Sequence, residues 1–118
     1  MSVFKDIEIE WKGETYKVRP SMQLIFDLES VQGSSLTGFA GRAAENDAPV
    51  SIAYQYVAKT LRHAGVKDVT AESIFEDVGG IRMEVVSMAL QIVVACLNLD
   101  EEGSKKKTKA STGATSTQ

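Results

Sequence analysis

Residues 7–36 read IEIEWKGETYKVRPSMQLIFDLESVQGSSL, and their order decides the fold. Ile7, Ile9 and Trp11 alternate with Glu8 and Glu10, the period of a strand with one face buried. Lys12, Gly13 and Glu14 supply a turn, because glycine accepts positive φ without steric cost. Tyr16 and Val18 then alternate with Thr15, Lys17 and Arg19 as a return strand, which Pro20 ends by having no ladder donor. Ser21 is placed to cap a helix from Met22 to Val31, and Gly33 to close it. A lone hairpin is marginal in water, so this one must lie on the helices that follow.

Downstream, glycines 33, 38 and 41 punctuate the next stretch, which reads as a loop with at most one short helix behind Ser35. Pro49 opens a second main helix that runs to about Ala64 with Ile52, Tyr56, Val57 and Leu61 near one face, and Gly65 ends it. Thr70 caps a third helix, Ala71 to Val78, with Glu72 in its first turn and Gly79-Gly80 as its stop. A fourth runs from about Ile81 to Leu99. Its second half, SMALQIVVACLNL, is apolar nearly all round, as expected of a central core helix or a subunit interface. The expected fold class is α+β, with an N-terminal β-hairpin on a bundle of about four helices spanning residues 1–99. Residues 100–118 contain no aliphatic residue larger than alanine and no aromatic, so they are expected to be a disordered tail.

Composition removes several functional classes. Residues 1–99 carry nine Lys and Arg against thirteen Asp and Glu, and an acidic body repels a nucleic-acid backbone. Tyr54–Ala64 and Ala71–Val78 have the spacing of a helix-turn-helix, but the second helix holds Glu72, Glu76 and Asp77 and no base. Nucleic acid is therefore not an expected partner. No segment is apolar over the ~20 residues that a membrane helix needs, and no secretory leader opens the chain. One cysteine, Cys96, excludes an internal disulfide framework, and one histidine, His63, excludes a His-His metal site. No phosphate-cradling glycine motif or HExxH is present. No catalytic residue, metal, cofactor or small-molecule substrate is expected, and the chain reads as a non-enzyme. Cys96 reads as a small core residue, and His63 as a group at a helix C-terminus.

Protein binding is the remaining class. Met22, Ile25 and Phe26 fall on one face of the first helix, and Leu24, Leu28 and Val31 on another. Two apolar faces imply a helix sandwiched between the hairpin and other helices; the alternative is that one stripe receives a partner. Leu36, Phe39 and Arg42, in the glycine-punctuated stretch, are the other candidates for partner contact.

The order of strand, K-G turn, Y-x-V-R-P-S, a helix ending L-E-x-x-x-G-x-S-L, and L-R-x-A-G closing the next helix resembles tail assembly chaperones of tailed phages and the related gene transfer agent tail proteins. The residues that carry this are Trp11, Gly13, Tyr16, Val18, Arg19, Pro20, Ser21, Leu28, Glu29, Gly33, Ser35, Leu36, Leu61, Arg62, Ala64 and Gly65. The resemblance covers roughly residues 7–97. It implies a non-enzymatic protein made in the host cytoplasm, which attends the tape-measure protein, helps recruit tail-tube subunits and is absent from the mature virion; the apolar fourth helix separately makes a homo-oligomer an expectation. The resemblance also implies a programmed ribosomal frameshift near the 3′ end, where the codons of Lys105, Lys106 and Lys107 form an A-rich run. A structural part of the tail or of the head–tail connection is the rival expectation.

Overall fold

The alternation at the N-terminus folds as its period dictates. Ile7, Ile9 and Trp11 are buried and Glu8 and Glu10 exposed along strand β1 (Ile7–Trp11). It pairs antiparallel with β2 (Glu14–Val18), with Ile7 opposite Val18 and Trp11 opposite Glu14. Lys12 and Gly13 both take positive φ, 52° and 81°, the signs a two-residue turn needs to match strand twist. The computed structural model describes residues 4–33 and 35–98, and the expectations for residues 100–118 lie outside the described residues.

Five helices follow among the described residues: α1 (Met22–Glu29), α2 (Leu36–Ala44), α3 (Val50–His63), α4 (Ala71–Val78) and α5 (Met83–Leu97). The α+β class is as expected, with one more helix than the bundle of about four. The addition is α2. Gly38 and Gly41 weaken it, yet Ser35 Oγ accepts the Gly38 N–H, and Glu29 Oε2 accepts the Leu36 N–H at 3.1 Å. That carboxylate sits at the positive end of α2, anchored from the end of α1.

Local chemistry sets the remaining boundaries. Ser21 caps α1 through Leu24 N–H, but the helix stops at Glu29, short of Val31, because the chain tightens: Ser30 and Val31 N–H turn back to Asp27 and Leu28 carbonyls. Thr70 and Ser73 cap each other reciprocally at the start of α4. Gly65 and Gly79, at φ 101° and 77°, close α3 and α4 in the left-handed region that glycine adopts freely.

The core lies where α5 meets α3, α2 and β1. Val85, Ala89, Ile92 and Val93 of α5 interleave there with Tyr56, Val57 and Leu61 of α3, while Leu24 and Leu28 bring in α1. Phe39 and Tyr56 rings meet at 5.2 Å between centroids and a 52° tilt, a favourable aromatic geometry. Lys12 Nζ reaches Asp77 at 3.1 Å, tying the hairpin turn to the end of α4. No described helix is long and apolar enough to cross a membrane.

Candidate functional site

The residues expected to meet partners divide cleanly. Leu36 and Phe39 are 1% and 2% exposed, in the core, whereas Met22 and Phe26 are 59% and 69% exposed on α1. Leu36 and Phe39 are therefore corrected from surface candidates to core residues, because their stretch is a helix whose apolar side faces α5. Arg42 stays on the surface but is engaged at home: its Nε and Nη2 both reach Asp47 Oδ2, at 3.3 and 3.2 Å. Asp47 N–H in turn donates to Arg42 O, so this pair closes the end of α2. Lys105, Lys106 and Lys107 lie outside the described residues.

The expected sandwich around α1 is also corrected. Leu24, Leu28 and Val31 are buried, but Met22 and Phe26 stand in solvent on the opposite side, one helical turn apart. Ile25, the third residue expected on that stripe, is half-buried against the core.

A second apolar surface was not legible as such in the sequence. Val50, Tyr54 and Ala58 of α3 floor a groove of about 740 Å³, walled by Phe75 of α4 and by Ile81. Both wall residues are exposed large apolar side chains. Ser51, Gln55, Lys59, Arg62 and Glu72 give it a polar rim. From Val50 to Arg62 the groove, rim included, runs roughly 18 Å, about three helical turns. The groove holds its shape through Tyr54, whose hydroxyl donates to Gly80 O and accepts Arg82 N–H, each at 2.7 Å. That pair fixes the Gly79-Gly80 link and hence Ile81 against α3.

Beside the groove, Asp27 of α1 receives both Lys59 Nζ (3.4 Å) and His63 Nε2 (3.0 Å) from α3. Burial pulls the Asp27 carboxyl upward, but the His63 bond and the Lys59 cation outweigh it, leaving it below 3.8. His63 therefore serves to hold α1 on α3. Cys96 is buried on α5, and desolvation pushes its thiol up to about 11, which keeps it protonated and unreactive at neutral pH. Among the described residues, no three His, Cys, Asp or Glu side chains gather to hold a metal ion. On α4, Glu72, Glu76 and Asp77 are exposed, so that helix presents carboxylates where a DNA-reading helix presents bases.

Compared with protein-family models, with curated proteins and with solved structures, the chain matches none of them.

Proposed function

We propose that this protein is a tail assembly chaperone of a phage, prophage or gene transfer agent, binding helical segments of the tape-measure protein and helping to recruit tail-tube subunits. The observation that carries the reading is the apolar surface left in solvent. Met22 and Phe26 form a stripe on α1, and Phe75 and Ile81 wall a groove between α3 and α4. A groove of roughly three helical turns, with an apolar floor of about two turns and a polar rim, suits an amphipathic helix presenting anchors at i, i+3 or i+4 and i+7. The acidic body suits the same role, since it disfavours the nucleic acid being packaged nearby.

The resemblance of residues 7–97 to such chaperones supports the same reading. Under it the protein works in the host cytoplasm as a non-enzyme, without cofactor, and leaves before the virion matures. The Lys105–Lys107 codons are the place for a programmed frameshift that extends a fraction of the chains. Lysine codons that form no slippery heptamer, with no overlapping frame downstream, would remove that element.

The experiment is affinity purification of the tagged chain from cells making the tail proteins, paired with mass spectrometry of purified particles. The tape-measure protein is expected with the tagged chain, and this protein is expected to be missing from the particles. Stoichiometric retention in particles would favour the rival reading, a structural tail component.

A further inference from the structure

The hairpin leaves one strand edge open beside a helix. Lys12 and Gly13 make a two-residue turn with both φ angles positive, so Trp11 and Glu14 face each other as a hydrogen-bonded pair. Counting back in twos, Ile9 with Tyr16 and Ile7 with Val18 are hydrogen-bonded pairs as well. The N–H and C=O groups of Glu8 and Glu10 therefore point away from β2. Among the described residues, no third strand and no other protein group takes them up.

That edge opens onto a groove. Lys5, Asp6, Ile7 and Glu8 border a space of about 740 Å³. Successive residues of a strand face opposite sides, so four in a row line the groove because the backbone edge itself is its wall. Across from it stand Leu90, Val94 and Ala95 of α5, all half-buried, with Ser87 and Asn98 toward the ends. From Ser87 to Asn98 the helical wall runs roughly 17 Å, the length of about five extended residues.

Its charge is mostly of one sign. Asp6 and Glu8 line the groove, and Glu10 and Glu84 line its continuation beside Met88 and Gln91. Against these acids stand Lys5 in the groove, and Lys17 and Arg19 on the β2 side, which pair with Glu8 and Asp6. Glu10 and Glu84 have no ion pair among the described residues.

We infer that an extended segment of another protein docks here as a third strand, its backbone bonded to Glu8 and Glu10 and its sequence alternating basic with apolar residues. One set of its side chains descends onto Leu90 and Val94, and the other lies level with the Glu8 and Glu10 carboxylates. Opposite charges on neighbouring strands stabilise the pairing, which selects lysine or arginine at the outward positions. The same acids repel another copy of this edge, so they guard it against pairing with itself. The site is separate from the α3–α4 groove, because a helix has bonded its own backbone and offers nothing to Glu8 or Glu10.

The test is titration of the full chain with a capped peptide of alternating lysine and valine, read by calorimetry and by amide hydrogen exchange. Exchange at Glu8 and Glu10 is expected to slow at least tenfold at saturation, while Ile7 and Ile9, already bonded to β2, change little. Methylating the peptide nitrogens that face β1 is expected to abolish binding, and a glutamate–valine peptide to bind at least tenfold more weakly. Glu8→Lys/Glu10→Lys is expected to weaken the lysine–valine peptide at least tenfold, and Phe75→Glu, in the other groove, to leave it unchanged. Slow exchange at Glu8 and Glu10 before any peptide is added overturns the inference, since the edge is then already covered. So does an absence of binding, binding that survives methylation, or binding lost in Phe75→Glu.

Discussion

Tyr54 and Gly80 are joined across 26 residues by a 2.7 Å hydrogen bond from the phenol to the glycine carbonyl, and the same oxygen accepts the N–H of Arg82. One hydroxyl thus satisfies two backbone groups of a turn that has no ladder to join. Tyr54→Phe keeps the ring and strands both groups, at a cost of about 1–3 kcal/mol. Chemical denaturation is expected to show that loss, together with faster hydrogen exchange at Arg82. An unchanged midpoint would mean that water replaces the phenol without penalty.

The Asp27 cluster predicts a pH dependence. Because the folded carboxyl lies below its ordinary 3.8, the unfolded chain takes up the proton first on acidification. The stability it contributes is present above 3.8 and lost as pH falls through the lower, folded value. Asp27 is more than a third exposed, so solvent screens much of the effect. Asp27→Asn is expected to be less stable at neutral pH and to show a shallower loss of stability on acidification below 3.8. Parallel curves for the two proteins would count against the cluster as an α1–α3 clamp.

Thr60 is fully buried in α3, and its hydroxyl has no hydrogen-bond partner. Thr60→Val replaces that hydroxyl with a methyl of similar shape and keeps the β-branch. The variant is expected to gain about 1 kcal/mol, read as a raised thermal midpoint. A loss of stability would show that the hydroxyl is satisfied in solution.

Phe39 and Phe26 should respond oppositely to truncation. Phe39→Ala empties a site beside Tyr56 and is expected to cost about 3–5 kcal/mol. Phe26→Ser removes an exposed ring and is expected to change stability by no more than about 0.5 kcal/mol while weakening capture of the tape-measure protein. Equal destabilisation by the two would contradict the division between core and docking face.

Much of this fold was legible because short-range rules decide it. The Ile7–Trp11 alternation, the Lys12-Gly13 turn, the Ser21 cap and the bounds of α4 all follow from residues within a few positions of one another. What escaped depends on distant partners. Glycine content argued against α2, but Glu29 stabilises its first turn from seven residues upstream. Once that helix exists, Leu36 and Phe39 turn inward, and their value as surface candidates disappears. His63 looked like a helix-end charge because Asp27 lies 36 residues away. Similarly, α5 starts at Met83 instead of Ile81 because Tyr54 holds the residues just before it. Of the candidate site, periodicity placed Met22, Ile25 and Phe26 on one stripe but not which of them packs on the core, and the Phe75 and Ile81 groove exists only once α3 and α4 pack.

The central claim is that exposed apolar surface on this protein shields another polypeptide, and the soluble yield of co-expressed tape-measure protein measures it most directly. The wild-type chain is expected to raise that yield several-fold over the tape-measure protein alone. A Phe26→Glu/Phe75→Glu variant, folded as judged by circular dichroism, is expected to give none of the increase. Equal soluble yields with wild type, with the variant and with no added chain would contradict the account.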